Sequence, residues 1–283
     1  MSDAARHPRV LELPRDEYGL ATTSTAQRRL KELLPTFLSN TLADAGAERL
    51  VVDLDGSVEA AVGAAMAVDA VGADRVVGLV MPAGKAGEAA ARDAEAVADV
   101  LDIEYRRLPL APVVGAFRET MDAAGSPADD LVATEHAEAR LRTVCAYYVS
   151  NTVDGIVVGT ANRTERLLGS TTKYGETGAD CFLFGDLYRT EIRAFAQGLD
   201  IPEGILDSQS SHGFETGTPS ATRLEVPPET LDRLLRLHID EGRAATEVAD
   251  RLDVPAATVR RAKRWCAETR HKRHQPPKPS TDL

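Results

Sequence analysis

The stretch Arg49-Leu-Val-Val-Asp-Leu-Asp-Gly-Ser-Val-Glu-Ala60 decides the fold. Its first half is an unalternated apolar run, Gly56-Ser57 breaks that run, and the Ala- and Val-rich residues from Val58 to Val71 carry on as a helix. Strand, tight turn and helix in this order form the opening unit of a parallel sheet. The pattern recurs: Arg75 to Met81 ends at Pro82-Ala-Gly and precedes a helix from Glu88 to Leu101, and Ile103 to Leu108 precedes a helix from Val113 to Ala124. Gly155-Ile-Val-Val-Gly-Thr160 supplies a fourth strand after a helix from Leu131 to Asn151. Strands without polar alternation are buried on both faces, so helices must cover the sheet on both sides. Upstream, Leu30, Leu33, Leu34, Phe37 and Leu38 are spaced as a helix between Thr22 and Ala43, with Pro35 expected to kink it. Beyond Gly185 the spacing predicts helices at Leu187 to Leu199, Pro228 to Asp240, Ala244 to Leu252 and Ala256 to Thr269, and no further strong strand. The expected fold class is α/β: a doubly wound, Rossmann-like parallel sheet with a helical C-terminal portion. It divides into an N-terminal extension (1–21), one domain (22–272) and a Pro-rich tail (273–283).

Composition narrows the function. In 283 residues, 43% hydrophobic, 33 Lys and Arg face 44 Asp and Glu for a net charge of -11, which argues against a nucleic-acid partner or an anionic membrane held by overall charge. No apolar run nears the roughly 20 residues of a bilayer span, and MSDAARHPRV lacks a signal-peptide core, so a soluble cytoplasmic protein is expected. Cys145, Cys181 and Cys266 form no Cys-x-x-Cys pair and predict neither zinc nor redox chemistry.

Doubly wound sheets bind ligands beyond the carboxyl ends of their strands, which directs attention to Asp53 to Glu59, Met81 to Lys85 and Gly159 to Glu165. Three signals compete. Val51-Val-Asp-Leu-Asp-Gly-Ser57 resembles the first motif of haloacid-dehalogenase-type phosphatases, with Asp53 as nucleophile and Asp55 as general acid; the same residues are also ordinary turn chemistry. Ala245 to Arg261 has the spacing of a helix-turn-helix with a basic second helix, an alternative DNA-binding reading, although two amphipathic helices packing together share that spacing.

The third signal is the longest. Gly159-Thr-Ala-Asn-Arg-Thr-Glu165, Leu168-Gly-Ser-Thr-Thr-Lys-Tyr-Gly175, Gly178-Ala-Asp180 and Gly185-Asp-Leu-Tyr-Arg-Thr-Glu-Ile-Arg193 stand in order, with Glu138-Ala-Arg140-Leu-Arg142 before them and Glu268-Thr-Arg-His271-Lys272-Arg273 after. In this register the chain resembles the ammonia-dependent NAD synthetases, of the adenine nucleotide alpha-hydrolase type, over roughly residues 25 to 279. The resemblance implies ATP-dependent amidation of deamido-NAD with ammonia to give NAD, AMP and pyrophosphate, with Mg²⁺ on the phosphates and no protein nucleophile. It implies a homodimer with dinucleotide sites at the subunit interface. Carried over by position, Arg140, Lys173, Asp180, His271 and Lys272 correspond to deamido-NAD contacts, and Gly56, Ser57, Thr160, Arg189 and Ser211 to ATP contacts. Glu59 and Glu165 correspond to metal ligands.

One loop departs from that pattern. The family carries Ser-Gly-Gly-x-Asp-Ser after its first strand, where small residues let backbone N–H groups close around pyrophosphate. Here Asp55-Gly56-Ser57-Val58-Glu59-Ala60 keeps only Gly56. Asp55 brings negative charge to the phosphate position, which predicts weak ATP binding beside better-retained dinucleotide binding. A catalytically impaired paralogue holding a pyridine dinucleotide is therefore a further alternative.

Overall fold

The computed structural model describes residues 13–84, 87–127, 130–199, 201–206 and 224–279. Helix α1 (Ser24–Ala45) begins at Thr23, whose hydroxyl accepts from Ala26 N, and stops at Gly46 in the left-handed region. It continues across Pro35, while Ala26, Leu30, Leu34, Leu38 and Leu42 form its buried stripe. The parallel units follow: β1 (Arg49–Asp53), α2 (Val58–Val71), β2 (Val76–Val80), α3 (Gly87–Val100), β3 (Glu104–Arg107), α4 (Ala111–Ala123), α5 (Leu131–Thr152), β4 (Gly155–Gly159) and α6 (Arg163–Leu168). A short β5 (Cys181–Phe182) then precedes α7 (Arg189–Ala196) and α8 (Glu203–Leu206). The C-terminal portion is helical, as expected: α9 (Pro228–Leu235) runs into a π-helical turn (Arg236–Asp240), followed by α10 (Ala245–Leu252) and α11 (Ala256–Glu268).

All strand pairings are parallel and the order is β3-β2-β1-β4-β5. Leu50 pairs with Val76 on one side and Ile156 on the other, so β1 is central. Side chains alternate between two cores. Leu50, Val52, Val76, Val80, Ile156 and Val158 face α1, α2, α3 and α7, whereas Val51, Val77, Leu79 and Val157 face α4 and α5. Burial on both faces is why these strands read as continuous apolar runs. A third core, built on Leu168, Tyr188, Leu234, Leu237, Val248 and Val259, joins the C-terminal helices to α6. The chain crosses from one half of the sheet to the other between β1 and β4, and the ligand crevice of such a sheet opens there. Among the described residues no helix is long and apolar enough to cross a membrane.

Candidate active site

At this crossover the loop after β1 meets the loop after β4. Gly56 turns the chain at φ +81°, and a Cβ there would lie 2.7 Å from Ala90 O, so the turn admits only glycine. Two of the backbone donors beyond it are engaged within the loop. Ser57 N donates to Asp55 Oδ1 at 2.9 Å, and Ala60 N donates to Ser57 Oγ at 3.1 Å, Ser57 being the buried N-cap of α2. Two N–H groups at the head of α2, where an anion is ordinarily received, are thus held by the loop's own oxygens.

Glu59, 5% exposed, points across the crevice. Its Oε1 accepts from Asn162 Nδ2 at 3.2 Å and lies 3.7 Å from Arg189 Nε. Asn162 caps α6: its side chain accepts from Glu165 N at 3.0 Å, and its own N–H donates to Glu165 Oε2 at 3.1 Å. This reciprocal box is the Asn-x-x-Glu signature of a helix start. Burial, and then the neighbouring Glu59 carboxylate, push the Glu165 carboxyl well above its ordinary value. Thr160 joins the group because Gly63 lets α2 approach; a Cβ on Gly63 would sit 2.8 Å from Thr160 Cγ2. The sequence-predicted Gly56, Ser57, Glu59, Thr160, Glu165 and Arg189 therefore assemble at one crevice. Ser211 lies outside the described residues.

Asp232 fixes the far wall. It accepts from Thr164 Oγ1 at 2.6 Å, Thr190 N at 2.8 Å and Thr190 Oγ1 at 2.6 Å, locking α6 and α7 to α9. Asp240 in the π turn accepts from Arg163 Nε at 2.8 Å and Tyr188 Oη at 2.7 Å. Neither carboxylate has a local sequence signal, because the partners stand far apart in the chain.

The predicted dinucleotide residues cluster around residues 169–176. Arg140 Nε donates to Lys173 O at 3.2 Å, and Lys272 Nζ donates to Gly169 O at 2.7 Å and Thr171 O at 3.1 Å. His136 Nδ1 lies 3.0 Å from Thr172 Oγ1, and Thr172 N donates to Glu176 Oε2 at 2.7 Å. Burial, with Lys272 and Arg140 nearby, lowers the His136 pKa, and burial also lowers that of Lys272. His136 and Glu176 carried no signal that set them apart in the sequence. His271 stands exposed in the same turn as Lys272, with Nδ1 3.1 Å from Glu268 O. Asp180 has a structural connection: Oδ2 accepts from Val157 N at 2.7 Å and Oδ1 from Tyr147 Oη at 3.0 Å, fastening this segment to β4 and α5. Beside Arg140, an open hollow of about 580 Å³ is lined by Val144, Tyr147, Tyr148 and Tyr174. Val144 and Tyr148 are 63% and 72% exposed, a large apolar face for one chain to leave in water.

Among the described residues no three His, Cys, Asp or Glu side chains are arranged to hold a metal. Glu59 and Glu165, two hard oxygen donors joined through Asn162, suit a Mg²⁺ whose remaining positions are filled by phosphate and water.

A family model described as NAD synthase matches residues 30–276. The NH(3)-dependent NAD(+) synthetase of Halobacterium salinarum is 37% identical over 255 residues, covering 90% of this chain and 93% of that protein. That of Methanosarcina acetivorans is 32% identical over 255 residues, with 90% and 97% covered. Among solved structures, NMN synthetase from Francisella tularensis matches with a TM-score of 0.76 at 25% identity, covering 90% of this chain and 99% of that one. The NH3-dependent NAD synthetase from Campylobacter jejuni matches the fold with a TM-score of 0.75 at 22% identity over the same shares.

Proposed function

The chain belongs to the NAD synthase family, and from that membership we propose that it amidates deamido-NAD with ammonia, using ATP. A nicotinate carboxylate oxygen attacks the α-phosphorus and pyrophosphate leaves; ammonia then adds to the acyl carbon, AMP departs with the bond's electron pair, and the surplus proton passes to solvent. Positioning supplies much of the catalysis, and the chemistry calls for no protein nucleophile. Family membership displaces the phosphatase reading of Asp53 and Asp55.

The observation that carries the proposal is the meeting of Glu59, Asn162, Glu165 and Arg189 at the sheet crossover, with the cations Arg140, Lys173 and Lys272 placed along the segment beyond β4. Glu59 and Glu165 are the residues suited to Mg²⁺, which when bound neutralises charge on the phosphates. Arg140, Lys173, His271 and Lys272 are assigned to the phosphates and nicotinate end of the dinucleotide. The apolar face of Val144, Tyr148 and Tyr174 is assigned to a second copy of the chain, which completes each dinucleotide site. The cytoplasm is the location we assign to the protein.

The hydrogen bond from Ser57 N to Asp55 favours a second reading, a paralogue that holds the dinucleotide but captures ATP weakly. An ammonia-dependent assay that follows NAD and AMP together tests the first reading. Equal accumulation of the two supports the synthetase; dinucleotide binding without either product supports the paralogue. The deamidated mononucleotide belongs in the same assay, because a structural relative is an NMN synthetase.

A further inference from the structure

Helices α10 and α11 are joined by a short turn, in the spacing that resembles a helix-turn-helix. The eight residues of α10 end at Asp253, which adopts the left-handed conformation at φ +52°; Val254 and Pro255 complete a three-residue turn, and α11 begins at Ala256. Val248 and Ala249 of α10 and Val259 and Ala262 of α11 are buried between the helices and the rest of the chain, with Leu252 and Val254 packed against them. The inner face of α11 is thereby fixed and its outer face is turned to solvent. Arg260, Arg261, Lys263 and Arg264 are all exposed on that outer face.

The electrostatics are local and opposite to those of the whole. Residues 256–278 hold eight Lys or Arg and a single acid, Glu268, in a chain of net charge -11. Some arginines elsewhere are matched with acids, Arg107 with Glu88 and Glu95, Arg163 with Asp186 and Asp240, and Arg243 with Glu241 and Glu247, whereas Arg28, Arg75, Arg92 and Arg270 are exposed singly along the chain. Among the described residues, none of the four cations on α11 takes part in an ion pair. Four cations grouped on one face of a single helix, with no ion pair among the described residues, present a surface complementary to closely spaced phosphates. The dinucleotide reaction leaves this row without a task, because the residues assigned to that substrate are Arg140 on α5, Lys173 after α6, and His271 and Lys272 past the end of α11.

We propose that α10, the turn and α11 form a duplex-DNA-binding surface, with Arg260, Arg261, Lys263 and Arg264 against the phosphates and base edges of a major groove. A second helix with an exposed cationic face and a buried apolar seam is the element such a groove admits. The overall negative charge opposes long-range steering, so binding is weak and strongly salt-dependent, with apparent Kd in the range of about 1–100 μM near physiological salt.

The test is fluorescence anisotropy of a labelled mixed-sequence duplex of about two helical turns titrated with the full chain at several salt concentrations. With four phosphates neutralised, the slope of log K against log salt should be about -3.6, so affinity falls roughly a hundredfold between 50 and 200 mM. Arg260→Ala with Arg264→Ala should weaken binding by about tenfold or more and make the slope shallower by about 2. Both residues are exposed, so melting temperature and deamido-NAD affinity should stay as in the unmodified chain. Absence of an anisotropy change at about 100 μM protein would overturn the proposal, as would binding that survives the double substitution. Equal affinity for single-stranded RNA or for polyglutamate would also overturn it, by showing a general polyanion surface rather than a duplex reader.

Discussion

The loop after β1 and the segment after β4 both meet the sheet crossover and are the two anion sites we propose, yet their donors have different fates. In the loop, Ser57 N and Ala60 N are satisfied by Asp55 and by Ser57 itself, and Arg189 lies beside Glu59. In the later segment, Lys272 donates to the carbonyls of Gly169 and Thr171, and Arg140 gives Nε to Lys173 O and Nη1 to His136 O out of a guanidinium's five N–H donors. Backbone donors of a loop can therefore be taken up by its own short side chains, here Asp55 and Ser57, without disturbing the fold, whereas a cluster of long cationic side chains is not silenced so simply. The difference predicts a protein whose dinucleotide half outlasts its ATP half.

The comparison breaks most visibly if the loop is restored. An extra carboxylate within about 4 Å of a phosphate opposes binding by about 1 kcal/mol in water and roughly 4 kcal/mol at the effective dielectric of a partly buried site. Asp55→Ser, Ser57→Gly, Glu59→Asp and Ala60→Ser combined should therefore tighten ATP several-fold to about a thousandfold in a calorimetric titration, with deamido-NAD affinity unchanged. Asp232→Ala attacks the wall the loop faces. It removes the acceptor for Thr164 and for both donors of Thr190 at a buried position, and should lower unfolding free energy by about 3 kcal/mol in urea titrations.

Glu165 sharpens the contrast through pH. Its folded pKa is raised, so the folded chain binds this proton more tightly than the unfolded one. That contribution to stability is present at low pH and is lost as pH climbs from the ordinary carboxylate range through the raised value. Glu165→Gln should flatten the fall of melting temperature over that interval and should weaken Mg²⁺-dependent ATP binding. The smallest effect is expected on the other side. Lys272→Met frees the carbonyls of Gly169 and Thr171 and should weaken deamido-NAD by about tenfold, roughly 1.4 kcal/mol, while leaving ATP untouched.

The sheet was legible because buried parallel strands must be apolar throughout, so β1, β2 and β4 stand out as runs; β3, Glu104-Tyr-Arg-Arg107, is a largely exposed edge strand rather than the buried run expected over Ile103 to Leu108. β5 did not stand out either, since Cys181–Phe182 is two residues long and its pairing to β4 is fixed by Asp180 and Gly159 rather than by its own pattern. Pro228 to Asp240 reads as one helix, yet the chain changes to π geometry at Arg236, where Asp240 is drawn to Arg163 and Tyr188. In the site, Glu59, Thr160 and Glu165 could be placed together because strand ends converge at a crossover, whereas Arg189 was indicated only by the family resemblance. Asn162 announces itself through its capping box. Asp232 and Asp240 serve partners that lie 68 and 77 residues away in sequence, and no local periodicity encodes such pairs.

The most direct measurement is a pair of calorimetric titrations on the unmodified protein, one with ATP and Mg²⁺ and one with deamido-NAD, under identical buffer and salt. The expected result is a dinucleotide Kd in the micromolar range and an ATP Kd weaker by about a hundredfold or more, because Asp55 brings negative charge to the loop and Ser57 N and Ala60 N are already engaged. Micromolar ATP binding equal to that of the dinucleotide would contradict the account and show that the closed loop opens to receive phosphate as it stands.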